Sequence, residues 1–143
     1  MRVEPYSVGL VQRNPFVKRK KILGEVVAVM DLKLTTRRLV LIEPRSRALK
    51  RGEIHELIVT DEEGAKPGAE VNRAAYLCMF EVKDGGVIVV GDRVVSKGVI
   101  LGSVVGFDET HAPNHINIVL KGEKFLTGAE LGLDIGDLIE IVQ

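Results

Sequence analysis

The sequence predicts a mostly β protein, built as one small closed barrel of six to eight strands with short helical turns. Three observations predict this fold. Short runs rich in Val and Ile are each bounded by Gly, Pro or Asp, which is the pattern of strands and their turns. Helix signals are scarce, and a segment near the start of the chain recurs near its end. The length of 143 residues suits a single domain.

The first 21 residues contain Pro5, Gly9 and Pro15 and show no sustained hydrophobic period. We therefore expect an N-terminal arm over residues 1–21 and a single barrel domain over residues 22–143. The predicted strands of that domain are residues 22–30, 38–43, 54–60, 76–82, 86–90, 93–95, 99–106, 116–120 and 138–142.

Three segments predict helical turns. Thr127 is followed three residues later by Glu130, which is the spacing of a capping box, so a turn of helix is expected over residues 128–131, with Gly132 closing it. Residues 69–75 and residues 46–51 are the other two helical predictions.

The repeated segment indicates an internal duplication. Residues 22–27 recur at residues 100–105 with a single change, and each copy is followed by a loop, an apolar strand, a helical piece, a Gly with an acid, and a last strand. This order predicts two β-β-α-β units, at about residues 22–60 and 100–142, which close a barrel without exposed edges when they interleave. Chance similarity between Val-rich strands is the alternative.

Charge is divided unevenly along the chain. The 20 basic and 20 acidic residues cancel, but residues 1–51 hold 13 of the basic and 4 of the acidic ones. Opposite charges are expected to meet within the fold or between subunits, and the second possibility predicts a homo-oligomer. The basic residues could also contact a nucleic acid, although no aromatic side chain is interleaved with them to stack on bases.

The composition also bears on location. Cys78 is the single cysteine, which excludes an intrachain disulfide and a cysteine-rich zinc site and suggests a reducing compartment. The longest apolar stretch, residues 22–30, is too short to cross a membrane. We therefore expect a cytoplasmic protein without membrane contact. Its many charged residues and few Asn and Gln resemble a thermophile's composition.

The loop over residues 107–115 holds the densest group of polar side chains. We expect it to bind a small molecule, because loops held by rigid strands often carry binding groups. Its two histidines and an acid could alternatively hold a divalent metal, and the structural alternative is an Asx-type turn with exposed histidines. The candidate ligand-binding residues are Asp108, Glu109, Thr110, His111 and Asn114, and the candidate metal ligands are His111, His115 and Asp108.

Alternation along the following strand orients the two histidines. Ile116, Ile118 and Leu120 form a fully apolar face, which we expect to point into the barrel. His115 and Asn117 would then point outwards or towards a partner subunit, and His111 would turn over the mouth of the barrel.

Residues 129–141, with Gly136 and Asp137 between a helical turn and a strand, resemble the GD box of cradle-loop barrels. In that group the Gly permits a sharp turn and the Asp caps freed backbone amides. Gly52 and Glu53 resemble a degenerate copy. The resemblance implies a cradle-loop architecture.

A second resemblance is to the C-terminal half of archaeal CTP-dependent riboflavin kinases. It rests on the order Thr110-His111-x-Pro113, Ile116, Ile118, Leu131, Leu133, Gly136-Asp137. Residues 67–72 faintly resemble the Pro-x-Gly-Thr-Leu-Asn stretch of the same family. The resemblance implies that Asn72 contributes to nucleotide and magnesium binding. The Thr of that stretch is absent, and residues 28–33 hold no Gly where the family has a glycine-rich phosphate loop.

Two functions are therefore expected. The first is a small-molecule-binding barrel for a nucleotide or flavin-like ligand, with catalysis left open. The alternative is a non-enzymatic oligomeric or nucleic-acid-binding module.

Overall fold

The structure is a computed structural model that describes residues 4–9 and 14–143. It contains eleven strands and one short helix in these ranges. In chain order they are β1 (Ile22–Leu34), β2 (Leu39–Val40), β3 (Ser46–Leu49), β4 (Ile54–Thr60), β5 (Glu70–Val71), β6 (Ala74–Asp84), β7 (Gly86–Val89), β8 (Arg93–Ser96), β9 (Val99–Asp108), β10 (Asn117–Lys121), α1 (Gly128–Leu131) and β11 (Leu138–Val142).

Seven strands form a closed barrel in the order β1, β11, β8, β9, β10, β4 and β6, with β6 returning to β1. All neighbours are antiparallel except β4 and β10, which are parallel. The predicted fold class, a mostly β protein with a closed barrel of six to eight strands, is confirmed. No helix in the described ranges is long and apolar enough to cross a membrane.

Two small sheets lie outside the barrel, β2 with β5 and β3 with β7. The first belongs to a region that we call the cap, residues 35–44 and 61–73. Leu39, Leu41 and Val71 of the cap pack on Ile58 of β4 and Val119 of β10 in a separate apolar cluster. The cap therefore buries one outer face of the barrel.

The barrel interior is filled by the alternating residues that point inwards. Ile116, Ile118 and Leu120 are fully buried there together with Phe80 and Phe107, as the apolar alternation predicted. Asn117 lies on the opposite face, which points out of the barrel as predicted, but its side chain is fully buried there. The cap covers this face.

Both additional helical predictions are wrong. Residues 46–49 form β3, which pairs with β7, and residues 70–71 form β5, which pairs with β2. The first predicted unit is therefore not β-β-α-β, and its second strand, residues 39–40 in β2, lies outside the barrel. The predicted arm over residues 1–21 falls partly outside the described residues, and its described parts contain no helix or strand.

The predicted capping box is confirmed at α1. Thr127 Oγ1 accepts a hydrogen bond from the backbone N–H of Glu130 at 3.1 Å, and Glu130 Oε1 accepts one from the backbone N–H of Thr127 at 3.0 Å. Gly132 ends the helix at φ 78°. These bonds satisfy amides that a helix start leaves unpaired.

The two Gly-acid pairs form the same local turn. Gly136 has φ 89°, and Asp137 Oδ2 accepts the N–H of Asp134 at 2.8 Å. Gly52 has φ 92°, and Glu53 Oε1 accepts the N–H of Lys50 at 2.8 Å. In both places an acid caps the amide three residues before it, ahead of the last strand of each repeated unit.

Ion pairs join the basic start of the chain to its acidic remainder. Arg19 binds Asp92 through both guanidinium ends in a buried pair, while Lys20 with Asp84 and Lys21 with Glu140 are more exposed. Opposite charges thus meet within the fold, which was the first of the two expectations.

Candidate ligand-binding site

A cavity of about 580 Å³ lies between the loop over residues 109–115 and the barrel strands β1, β4 and β6. Its wall is apolar at Val27, Ile54, Met79, Pro113 and Ile116. Its polar lining residues are Arg47, Glu53, His55, Asn114 and His115. The volume is in the range of small-molecule sites, and an apolar wall with a few polar groups is their usual composition.

The loop is held in place by Asp108 at the end of β9. The Asp108 carboxylate, which is 2% exposed, accepts hydrogen bonds from the backbone N–H groups of Val40 and Thr110 at 3.0 Å each and from Asn117 Nδ2 at 3.1 Å. Burial acts to raise the pKa of Asp108, but these hydrogen bonds outweigh it and hold the pKa below its usual 3.8. Asp108 therefore anchors the loop as an ionised acceptor, in the Asx-type turn of the structural alternative.

His55 has both ring nitrogens engaged. Its Nδ1 accepts the backbone N–H of Ile116 at 3.2 Å, so its proton lies on Nε2, which is 3.1 Å from Glu53 Oε1. A hydrogen bond from the Lys50 amide is the main cause that lowers the pKa of Glu53, and His55 contributes further. His55 is thus a support that links β4 to the loop, with no nitrogen left for a ligand.

His115 is different, because one of its nitrogens has no partner. Its Nδ1 lies 2.8 Å from Asn114 Nδ2, an amide donor, so the ring proton lies on Nε2. That Nε2 is buried and forms no hydrogen bond with any described residue. Burial, followed by the nearby His111 and His55, lowers the pKa of His115 below 6.5 and favours the neutral ring. His115 therefore lines the cavity and carries a buried N–H donor that no described residue uses.

The other predicted site residues take different positions. His111 is exposed and stacks on His115, with the ring centroids 5.0 Å apart, and it does not line the cavity. The expected arrangement of the two histidines is therefore reversed. Glu109 is paired with Arg47 at 3.2 Å, Thr110 is exposed in the turn, and Asn72 lies in the cap, away from the cavity.

The candidate metal site does not form. Within residues 4–9 and 14–143, no three His, Cys, Asp or Glu side chains are grouped so that they could hold a metal ion. The oxygens of Asp108 serve backbone and amide donors, whereas His111 and His115 stack on each other. The three predicted ligands are therefore engaged in structural contacts and are not grouped around a metal position.

The sequence interpretation missed Arg47, Glu53 and His55. Residues 46–51 are predicted as helix, which conceals that Arg47 is a half-buried residue of β3. His55 faces the loop because β4 and β10 are parallel neighbours, a pairing that joins residues about 60 positions apart. The similarity of Gly52-Glu53 to the GD box was the one sequence signal that pointed to this part of the site.

A second cavity of about 430 Å³ lies between β9, the loop over residues 121–124 and α1. Its lining includes Val59, Leu101, Leu131, Lys121 and Lys124. It contains no histidine, and none of the buried polar atoms without a partner belongs to its lining. The first cavity is therefore the stronger candidate site.

Comparison with curated proteins and with solved structures finds no match. A family model does match, over residues 16–142, which covers the barrel, the cap and the candidate site. The chain belongs to this family, which is described as a family of unknown function (DUF6917).

Proposed function

We propose that this protein binds a small molecule with a planar heterocycle and an anionic group, of the nucleotide or flavin class, in the cavity beside His115. The observation that carries the proposal is the buried Nε2–H of His115, which has no partner among the described residues. A buried donor without a partner costs free energy, so turning the His115 ring to bring Nε2–H to a ligand carbonyl or ring nitrogen in the cavity is favoured.

The other lining groups support the same ligand class. Asn114 uses its amide nitrogen on His115, which leaves its carbonyl oxygen to accept a ligand N–H. Val27, Met79 and Pro113 offer apolar surface to a flat ring. Arg47, with a third of its side chain exposed, supplies a cation for a phosphate.

The resemblance to archaeal CTP-dependent riboflavin kinases supports a nucleotide or flavin ligand, but phosphoryl transfer has less support. The residues at the position of that family's glycine-rich loop lie inside β1. Ala28, Val29 and Leu32 pair with β6, so this segment is part of a hydrogen-bonded strand and not a phosphate-binding loop. We therefore propose binding as the function.

The remaining expectations have weaker support. A cytoplasmic location rests on the single cysteine, Cys78, which is buried. The expectations of homo-oligomerisation and nucleic-acid binding rest on the basic residues at the start of the chain. Internal ion pairs such as Arg19 with Asp92 neutralise part of that charge, which weakens both expectations.

Isothermal titration with riboflavin, FMN and CTP tests the proposal. We expect at least one of the three to bind, and H115F to weaken that binding by tenfold or more because the donor is lost, since ~1.4 kcal/mol corresponds to a factor of ten. R47Q should weaken FMN or CTP but not riboflavin, which has no phosphate. K124A, at the second cavity, is the matched control and should change nothing. Failure of all three ligands to bind would refute the ligand class.

A further inference from the structure

Three polar side chains form a buried row across three neighbouring strands. Asp108 of β9, Asn117 of β10 and Glu56 of β4 are 2%, 0% and 5% exposed. Asn117 is the direct register partner of Asp108 on one side and of Glu56 on the other. Asn117 and Glu56 alternate with residues of the barrel interior, Ile116, Ile118 and Leu57, so both point to the outer face beneath the cap.

The side-chain acceptors of this row outnumber the donors available to them. Asn117 Nδ2 donates to Asp108 at 3.1 Å, but Asn117 Oδ1 is buried and has no partner. Glu56 makes no hydrogen bond or ion pair through its side chain with the described residues. Asn117 Oδ1 and the Glu56 carboxylate thus lie on neighbouring strands at the same register, and neither has a donor among the described residues. For the fully buried Asn117 Oδ1 this absence is costly.

We propose that Glu56 is protonated in the folded protein and donates its hydroxyl hydrogen bond to Asn117 Oδ1. One proton then removes both defects, because it neutralises a buried carboxylate and gives the orphaned carbonyl a donor. The shared proton ties β4 to β10 at the parallel junction of the barrel, immediately behind His55 and Ile116 of the cavity wall.

The surroundings favour the neutral form. Burial is the main cause that raises the pKa of Glu56, and the nearby Asp108 carboxylate raises it further. Arg37 of the cap acts in the opposite direction, but its Nε is engaged by the Tyr76 hydroxyl at 2.5 Å and it forms no ion pair with Glu56. From β6, Cys78 brings no charge, since burial raises the pKa of its thiol to about 12, and Met79 is apolar.

The proposal fixes the sign of a pH effect. The folded state holds the Glu56 proton more tightly than the unfolded chain, in which Glu56 titrates near its usual value of 4.5. The stabilisation is therefore complete below that pH and is lost as the pH rises through the folded-state pKa. Rising pH should loosen the contact between β4 and β10 under the cap.

Carbon-13 NMR of the Glu56 side-chain carboxyl tests this directly in the wild-type protein, with E56Q used to assign the signal. We expect the Glu56 signal to stay at the position of a neutral carboxyl group while exposed glutamates titrate, and to change only well above pH 4.5. A Glu56 signal that titrates with the exposed glutamates would overturn the proposal.

Urea unfolding across pH supplies an independent test. E56Q keeps a donor for Asn117 Oδ1 without a charge, so it should match the wild type at low pH and exceed its unfolding midpoint increasingly as the pH rises. E123Q, at an exposed position, should follow the wild type throughout. A wild-type advantage over E56Q that grows with pH would show an ionised Glu56 and contradict the shared proton.

Discussion

The Nδ1 atom of His115 lies 2.8 Å from the side-chain nitrogen of Asn114, and this one contact determines which ring nitrogen of His115 faces the protein without a partner. The amide of Asn114 can only donate, so Nδ1 accepts and Nε2 keeps the proton. The neighbouring His55 has the same tautomer, but Glu53 accepts the hydrogen bond from its Nε2–H. His55 and His115 therefore differ in one respect: the Nε2–H of His55 has an acceptor, and the Nε2–H of His115 has none among the described residues.

The tautomer and titration of His115 can be measured by nitrogen-15 NMR. We expect a neutral ring protonated on Nε2 at pH 7 and a pKa below 6.5, because burial and the nearby His111 and His55 disfavour the charged form. The unfolded chain takes up this proton first as the pH falls, so the associated stability is present above pH 6.5 and declines below it. N114D should reverse the tautomer, since a carboxylate at Nδ1 favours a proton there. An Nδ1-protonated ring in the wild type would contradict the assignment.

The ion pair of Arg19 with Asp92 should contribute far more to stability than the neighbouring pair of Lys20 with Asp84. Both side chains are at most 7% exposed, and Asp92 also accepts the N–H of Val89 at 2.9 Å. R19M leaves a buried carboxylate without its cation and should cost about 3 kcal/mol of unfolding free energy. K20M, which removes an exposed partner of Asp84, should cost little. Urea denaturation measures both, and equal losses would show that burial does not set the difference.

Gly24 in the repeated segment should not tolerate a side chain. A Cβ at this position would overlap the ring of Phe80, which is fully buried in the barrel. G24A should therefore cost about 1–3 kcal/mol through overpacking. G64A is the matched control, because a Cβ there meets nothing within 4 Å. A thermal unfolding midpoint of G24A equal to that of G64A would show that the ring gives way freely.

The capping residue Thr127 should stabilise α1 and its attachment to β1. Its hydroxyl accepts the N–H of Glu130 and donates to Asp31 of β1 at 2.9 Å. T127A should cost about 1 kcal/mol, the usual effect of losing an N-cap, whereas T127S keeps both hydrogen bonds and should cost less. Chemical denaturation of the two variants side by side gives the comparison. Equal costs would assign the effect to the lost methyl group.

Much of the fold could be predicted from the sequence because strands and caps are local signals. Residues 54–60 and 138–142 form strands with the predicted bounds, since each segment is rich in Ile, Leu and Val, follows a Gly-acid pair and precedes a polar residue. Residues 46–49 show where local signals fail. Their Ala, Leu and Arg content favours helix, but pairing with β7 prevails, and that partner lies about 40 residues away.

The site was only partly predictable for the same reason. The loop with Asn114 and His115 is recognisable by its density of polar groups. The choice between His111 and His115 depends on how the loop lies against β1, β4 and β6, whose residues line the cavity and are distant from the loop in sequence. Glu56 and Asn117 share a register only through the parallel pairing of β4 with β10. No local pattern encodes such a contact.

The most direct test of the binding site is the proton on Nε2 of His115, observed by nitrogen-15 NMR while FMN is added to the wild-type protein. We predict that this N–H signal shifts progressively and saturates, as expected when a ligand oxygen or nitrogen accepts its hydrogen bond, and that the Nε2–H of His55 shifts less because Glu53 already accepts it. Binding of FMN that leaves the His115 signal unchanged, or that shifts residues of the second cavity instead, would contradict the account.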